Sequence, residues 1–280
     1  MASMYQSDLI FDVGMHLGED TDFYLKKGFR VVGFEANPML VQHCKVRFSD
    51  AVASGRLVIV DGAVAPGTAS TVPFYENLRN TEWGTLNRDW VARNRHRGAP
   101  SKMVEVKRVD IAEYFRQYGM PYYLKIDIEG SDLEAVNSLK ALEDRPQFIS
   151  IETEINCFRR ALGEIELLRS LGYSKFKPVQ QQTIMGARLV SHTRDNRSFE
   201  HVFDRGASGP FGDDLPGEWL DYSTVRKAYR VIFARYWAVG HLSLFYRLYV
   251  AVYMWRWHTV QRHLKRVISS AGWHDLHASL

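Results

Sequence analysis

Over the first 170 or so residues, short apolar runs alternate with amphipathic stretches, and turn residues separate them. Residues 9–13 read as a strand and 21–27 as the helix after it. Residues 30–35 are a second strand. Pro38 then opens a helix, at the first-turn position proline favours, that runs to about residue 53 before a third strand at 57–60. A further strand is expected at 104–109, followed by Asp110 and, three residues on, Glu113, the form of a capping box for a helix ending near Tyr118. Residues 122–127 are the fourth main strand, Ser131 begins a short helix, 147–152 are an apolar β-type run, and a helix over 164–171 stops at Gly172. Strands alternating with helices predict an α/β fold, a parallel sheet with helices on both faces.

Two segments break this pattern. Residues 79–102 hold six basic residues (Arg79, Arg88, Arg93, Arg95, Arg97, Lys102), two acids (Glu82, Asp89) and two tryptophans (Trp83, Trp90), the make-up of a basic insertion that is either a substrate loop or a solvated excursion. Residues 223–272 contain no Asp or Glu but nine Lys or Arg, interleaved with aromatics: Tyr229, Phe233 and Trp237, then Tyr246, Tyr249, Tyr253 and Trp257. Spacings of three and four put these rings on one face of a helix, so the stretch reads as a packed helical extension or as a helix at an anionic membrane surface. The division this gives is a cofactor-binding domain over 1–200 and a basic, aromatic helical extension over 201–280.

The strongest chemical signal is Asp12-Val13-Gly14-Met15-His16-Leu17-Gly18-Glu19-Asp20, leaving the first strand and entering the first helix. Gly14 and Gly18 let the turn tighten and a ligand approach the backbone. A dinucleotide fingerprint would need glycines at 16 and 19, where His16 and Glu19 stand. Acids at 19 and 20 would also repel a pyrophosphate at a helix N-terminus, whereas S-adenosylmethionine carries an ammonium and a sulfonium and no phosphate. Glu35, ending the second strand in Glu35-Ala36-Asn37-Pro38, is placed to accept hydrogen bonds from a ribose diol, and Asp61-Gly62-Ala63 after the third strand is where an adenine edge would be met. The residues expected to meet the cofactor are therefore Asp12, Gly14, His16, Gly18, Glu35, Ala36, Asn37, Asp61, Gly62 and Ala63, joined by Asp127.

Asp127 belongs to Lys125-Ile126-Asp127-Ile128-Glu129-Gly130, a strand delivering two carboxyls to its end before a glycine turn, and Glu152 ends the adjacent strand. Asp127, Glu129, Glu152 and His16 are the candidate catalytic groups: they could orient the methionine ammonium, take the proton of an acceptor hydroxyl, or hold a divalent cation. The structural alternative is that Asp127 caps the helix near Ser131 and Lys125 pairs with a neighbouring acid. Together, Asp12-Val13-Gly14 with Gly18, the Glu35-Ala36-Asn37-Pro38 step, Lys125 to Gly130 and Ile151-Glu152 resemble the FkbM family of S-adenosylmethionine-dependent O-methyltransferases, over roughly residues 9–178. The resemblance implies a Rossmann-like class I methyltransferase sheet and a hydroxyl acceptor on a sugar, a polysaccharide, a glycolipid or a natural product. Where the family usually has Asn in the first loop, this chain has His16. Residues 223–280 fall outside the resemblance.

Composition adds limits. The chain is 280 residues, 46% hydrophobic and 24% charged, values of an ordinary globular protein. A net charge of +4 is compatible with an anionic partner without requiring one. Cys44 and Cys157 are far apart and belong to no CxxC pair, which argues neither disulfide nor zinc site. No signal peptide and no span of about 20 apolar residues is read, so a cytoplasmic protein is expected, with contact to the inner membrane face through 223–272 left open, as is a second copy of the chain. The base-holding tetrad of amino-methylating nucleic-acid enzymes and the Pro-Cys of cytosine C5 chemistry are missing, which disfavours a nucleic-acid acceptor. Two other classes compete with the O-methyltransferase: an NAD-dependent sugar oxidoreductase or epimerase, and a degenerate cofactor-binding module acting through membrane or protein contacts.

Overall fold

The computed structural model describes residues 5–153, 157–239 and 274–280. The chain opens on β1 (Tyr5–Val13), turns through the glycine loop into α1 (Glu19–Lys26) and returns as β2 (Arg30–Glu35). α2 (Pro38–Arg47) begins at its proline, and the Asn37 side chain accepts the Met39 N–H at 3.0 Å, satisfying one of the donors a helix start leaves free. The backbone leaves helical geometry at Phe48, so the single helix expected to run to 53 is two, α2 and the short α3 (Ser49–Ala53). β3 (Leu57–Asp61), β4 (Ala63–Val64), β5 (Thr71–Asn77), α4 (Arg88–His96) and β6 (Ser101–Val109) follow. Next come α5 (Ile111–Tyr118), β7 (Met120–Ile126), α6 (Asp132–Ser138), β8 (Phe148–Thr153) and α7 (Phe158–Ser170). The last third of the chain holds β9 (Lys175–Gln180), the antiparallel hairpin β10 (Arg188–His192) and β11 (Ser198–Val202), α8 (Tyr222–Val239) and β12 (His274–Ser279).

Seven of these strands form one sheet in the order β3-β2-β1-β7-β8-β12-β9. β1 pairs in parallel with β2 and β7, β2 with β3, and β7 with β8; β12 enters antiparallel between β8 and β9. Strand order reverses at β1 and β7, the switch point where open α/β sheets leave a crevice beyond the strands' carboxyl ends. Both faces are covered. Phe11, Val13, Val32 and Leu124 meet α5, α6, α7 and α8 on one side. On the other, Ile10 and Tyr123 pack with Phe23 and Tyr24 of α1, Cys44 of α2, and Phe203 and Phe211 from the region after the hairpin. Near-continuous apolar runs such as Val31 to Phe34 are what a sheet buried on both faces demands. A smaller three-stranded sheet, β4-β6-β5, carries residues 78–100 between β5 and β6.

The extension expected to be helical over 201–280 differs from that expectation. Among the described residues it is helical mainly over Tyr222–Val239, while residues 201–202 belong to β11 and His274–Ser279 lie inside the central sheet. A strand reading HDLHAS offers only Leu276 and Ala278 as alternating apolar positions, too little to announce it. On α8, Tyr229 is fully buried and Phe233 packs edge-on against Phe158, so this part of the aromatic stripe is core, whereas Trp237 is 85% exposed. The second aromatic run, Tyr246 to Trp257, lies outside the described residues. Among the described residues no helix is long and apolar enough to cross a membrane.

Candidate active site

At the carboxyl edge of β1, β2, β7 and β8 the loops enclose a cavity of about 770 Å³, within the range of small-molecule sites. Its cofactor-facing side starts at the loop after β1. A Cβ on Gly14 would stand 1.9 Å from the Asp127 carbonyl oxygen, and the residue's φ is +87°, so only glycine lets β1 and β7 come this close. Glu35 reaches the same wall from β2. Its Oε2 accepts the His16 N–H at 2.9 Å and its Oε1 the Asn37 N–H at 2.7 Å. Burial pushes this carboxyl up to about 7, against the pull of those two donors. Each oxygen keeps a lone pair for a hydroxyl donor. Phe34, Ala36, Ala63 and Val64 supply the apolar surface beside it.

Beneath the loop lies Lys125, almost fully buried. Its Nζ donates to the Gly14 carbonyl at 3.0 Å and stands 3.2 Å from Asp12, 3.5 Å from Asp20 and 4.0 Å from Asp127. Burial opposes the ammonium, but the three carboxylates outweigh it and hold Lys125 well above its usual value. Asp12 also accepts from Thr21 at 2.6 Å, and Asp20, pushed up to about 6 by burial, accepts the N–H groups of Ser208 and Gly209. One cation thus ties the first loop, α1, β7 and the 204–209 loop together.

The opposite side is acidic. Asp127, Glu129, Glu152 and Asp275 all line the cavity, and Asp275 stands directly opposite Glu152 in the β8–β12 register. Burial, reinforced by the neighbouring carboxyls, raises Glu129, Glu152 and Asp275 well above the carboxylate range. The helix-capping role offered for Asp127 is not filled, since α6 has no side-chain cap; Asp132 in its first turn instead reaches back to accept the Ile128 and Gly130 N–H groups of the preceding loop, both at 3.3 Å. Glu129 holds a left-handed backbone with φ +51°, as does His16; such strain in non-glycine residues concentrates at working sites.

Residues 80–97 form the roof. Asn87 caps α4, which sets the Trp90 indole against Gly130, where a Cβ would lie 2.9 Å from the ring. The Arg93 guanidinium stacks 3.9 Å over that ring and approaches Glu129 to 3.8 Å, and Arg97 lies over Trp83. Thr85 donates to the Glu129 carbonyl at 2.7 Å. The His16 ring joins roof to floor: Nδ1 lies 2.9 Å from Glu19 and Nε2 2.8 Å from Thr81. The insertion read as either substrate loop or solvated excursion is thus folded onto the cavity.

Of the residues singled out from sequence, Gly14, His16, Glu35, Ala36, Gly62, Ala63, Asp127, Glu129 and Glu152 line this cavity. Four do not. Asp12 is buried on Lys125 and Thr21, Gly18 is required because a Cβ would stand 2.3 Å from the Phe48 ring, Asn37 caps α2, and Asp61 ends β3 outside the lining. His16 has both ring nitrogens engaged by protein groups, which fits an anchor rather than a proton acceptor. Asp275 was missed; the one available signal was that it is the first acid after the acid-free stretch 223–272. Among the described residues no group of three or more His, Cys, Asp or Glu is arranged to hold a metal ion.

A sheet that switches at β1 and β7, a glycine loop bearing no phosphate cradle, and an acid at the end of β2 define the class: an S-adenosylmethionine-dependent methyltransferase on a Rossmann-like class I fold. The chain belongs to the FkbM methyltransferase family, whose domain profile matches residues 12–175. No curated protein matches the chain. Among solved structures, a precorrin-6y C5,15-methyltransferase from Geobacter metallireducens is 11% identical, over 71% of this chain and 77% of its own, with a TM-score of 0.36. A precorrin 8w decarboxylase from Methanobacterium thermoautotrophicum is 12% identical, over 70% and 78%, with a TM-score of 0.35. An S-adenosylmethionine-dependent methyltransferase from Geobacter sulfurreducens, in complex with S-adenosyl-L-homocysteine, is 8% identical, over 98% and 84%, with a TM-score of 0.32.

Proposed function

We propose that the protein transfers the methyl group of S-adenosylmethionine to a hydroxyl of a sugar, in a glycan, a glycolipid or a natural product. The observation that carries this reading is the pairing of acids with an aromatic surface in one lining: carboxyls of Asp127, Glu129 and Glu152 share the cavity with the half-buried Trp83 ring, behind which Trp90 is held between Arg93 and Gly130. Indole faces pack against the C–H face of a sugar ring, and carboxyls accept from its hydroxyls, so the two surfaces suit a neutral polyhydroxylated acceptor.

The cavity wall fits the cofactor. Glu35 would hold the ribose diol, the Gly14 loop and Asp127 the methionine end, and Phe34, Ala36, Ala63 and Val64 the adenine side. When bound, the cofactor supplies an already activated methyl group, so the protein's work is largely orientation of the attacking oxygen. Trp90 and Arg93, fixed against Gly130 and Glu129, set the acceptor over the floor. Glu152, raised by burial and by its acidic neighbours, is, once ionised, a stronger base towards a hydroxyl proton than an ordinary carboxylate.

The test has two arms. Calorimetry with S-adenosylhomocysteine should show binding that Glu35→Ala weakens and that NAD does not reproduce. Radiolabelled methyl transfer to a panel of glycans, glycolipids and sugar-bearing natural products should then label an oxygen. Label on nitrogen or carbon, or none on any carbohydrate, defeats the sugar-hydroxyl reading.

A further inference from the structure

Asp275 comes from the last strand, outside the segment that carries the family's motifs. In the antiparallel β8–β12 pair it faces Glu152, and directly opposite residues carry Cβ atoms about 4.5–5.5 Å apart, so the two carboxyls are within each other's reach. Both open on the cavity. Asp275 is only 6% exposed, and among the described residues neither carboxyl has a hydrogen-bond or ion-pair partner. Most of the other buried acids around the cavity are engaged, Asp12 and Asp20 by Lys125, Glu19 by His16, Glu35 and Asp132 by backbone N–H groups, while Glu164 keeps one oxygen, Oε2, without a hydrogen bond. Asp275, buried and aimed into the cavity without a partner, beside a half-buried Glu152 that also has none among the described residues, is a costly arrangement unless something entering the cavity uses the pair.

We infer that Asp275 is a positioning residue of the active site: its carboxyl and that of Glu152, neighbours across the strand pair with no hydrogen bond between them in this structure, close on one shared proton, and the Glu152 carboxylate so held accepts the proton of the acceptor hydroxyl. The inference rests on the O-methyl transfer proposed above. In the step, the acceptor oxygen bonds to the donor's methyl carbon, the carbon–sulfur electron pair returns to sulfur, and the acceptor's O–H bond gives way to an O–H bond on Glu152. Like charges so close cannot both ionise easily, so the pair gives up its protons in two separated steps. Asp127, Glu129 and Asp132 face Glu152 and add to that repulsion, with Arg93 opposing it from α4. Asp275 meets Asp127, Asp20 and Asp132, and Lys125 as the counter-charge. Arg160 and Glu164 of α7 border the same cavity.

Carboxyl-carbon NMR of the labelled full-length protein, saturated with S-adenosylhomocysteine, tests this without an acceptor. In the wild type the Glu152 and Asp275 signals should move together in two steps separated by more than about one pH unit. Asp275→Ala removes the shared proton, so Glu152 should ionise in one step at a higher pH than the wild type's first. Asp275→Asn keeps an N–H donor and should hold that ionisation near its wild-type position. Independent single steps in the wild type, or equal behaviour of the Ala and Asn variants, overturn the inference. With the acceptor found in the panel, the acidic limb of the transfer rate should rise by about one pH unit in Asp275→Ala, giving about ten-fold less product near pH 6 and recovery near pH 9, and Asn should rescue it. A limb that does not move overturns the role. If Asp275→Ala does not fold, Glu152→Gln gives the reciprocal reading on the Asp275 signal. Absence of any carbohydrate methylation would sink the functional reading itself, whereas normal transfer with an unmoved limb sinks only the part given to Asp275.

Discussion

The two sides of the cavity are built on different terms. On the cofactor side every buried carboxyl is spoken for: Glu35 accepts two backbone N–H groups, Asp20 accepts from Ser208 and Gly209, and Asp12 holds Thr21 and Lys125. On the acceptor side a half-buried Glu152 and a buried Asp275 have no hydrogen-bond or ion-pair partner among the described residues, and Asp127 has only the edge of Lys125 at 4.0 Å. The first arrangement fixes a shape before any ligand arrives. The second holds desolvated acids at an energetic cost, which folds tolerate where a ligand or a reaction completes the set. Substitutions should therefore fail by different routes on the two sides, structural on one and chemical on the other.

The largest effect should come from Gly14→Ala. The added Cβ has no room against the Asp127 carbonyl and no comfortable backbone at φ +87°, so β1 and β7 must part at the switch point. A loss of about 4 kcal/mol or more is expected, enough to unfold a marginally stable domain. A Gly14→Ala protein that melts cooperatively near the wild-type temperature and binds S-adenosylhomocysteine would refute the close approach. Next is Lys125→Met, which keeps the stem and removes the charge, leaving Asp12 and Asp20 buried without their cation. Breaking such a pair from one side costs about 3–5 kcal/mol. Denaturant melts giving less than about 1 kcal/mol would mean that Lys125 is not the keystone of this wall.

The parts legible in the sequence belong mostly to the prepared wall. The strands at 9–13, 30–35 and 57–60 and the two acid-bearing motifs announced themselves because parallel strands buried on both faces are largely apolar, and because glycines with acids at strand ends leave a local imprint. Less legible were features set by distant partners. β12 is polar, yet His274, Asp275, His277 and Ser279 are all buried, since its neighbours β8 and β9 supply the covering and not its own side chains. The Arg88–His96 helix sits in a basic run whose apolar content is little more than Trp90 and Val91, so its anchor, the packing of Trp90 on Gly130, is visible only in three dimensions. Asp12 and Gly18 lie within the motif but serve Lys125 and Phe48. Residue type and spacing marked the loop correctly and could not tell which members face inward.

The smallest effect on stability, and the most informative one, should come from Glu152→Gln. If the acceptor side is kept for chemistry, removing its charge relieves a penalty and should leave the fold within about 1 kcal/mol of wild type or slightly more stable. The sign follows from linkage. Burial and the neighbouring acids raise Glu152 in the folded state above its unfolded value, so the folded form holds a proton that the unfolded form has already lost. Wild-type stability from this group is present at low pH and is lost as pH rises towards the folded value. Glutamine has no such loss. The advantage of Glu152→Gln should therefore be nil at about pH 3, where the carboxyl is protonated in both states, and grow steadily through neutrality. Glu35 and Asp132, each pushed up to about 7, impose a slope of the same sign, but it is common to both proteins and cancels in the difference. Thermal melts of the two proteins across that range, beside their methyl-transfer rates, decide the matter: a gap that widens with pH while transfer is lost marks Glu152 as an acid kept for its reaction, and a pH-independent loss of stability would place it with Lys125 as scaffolding.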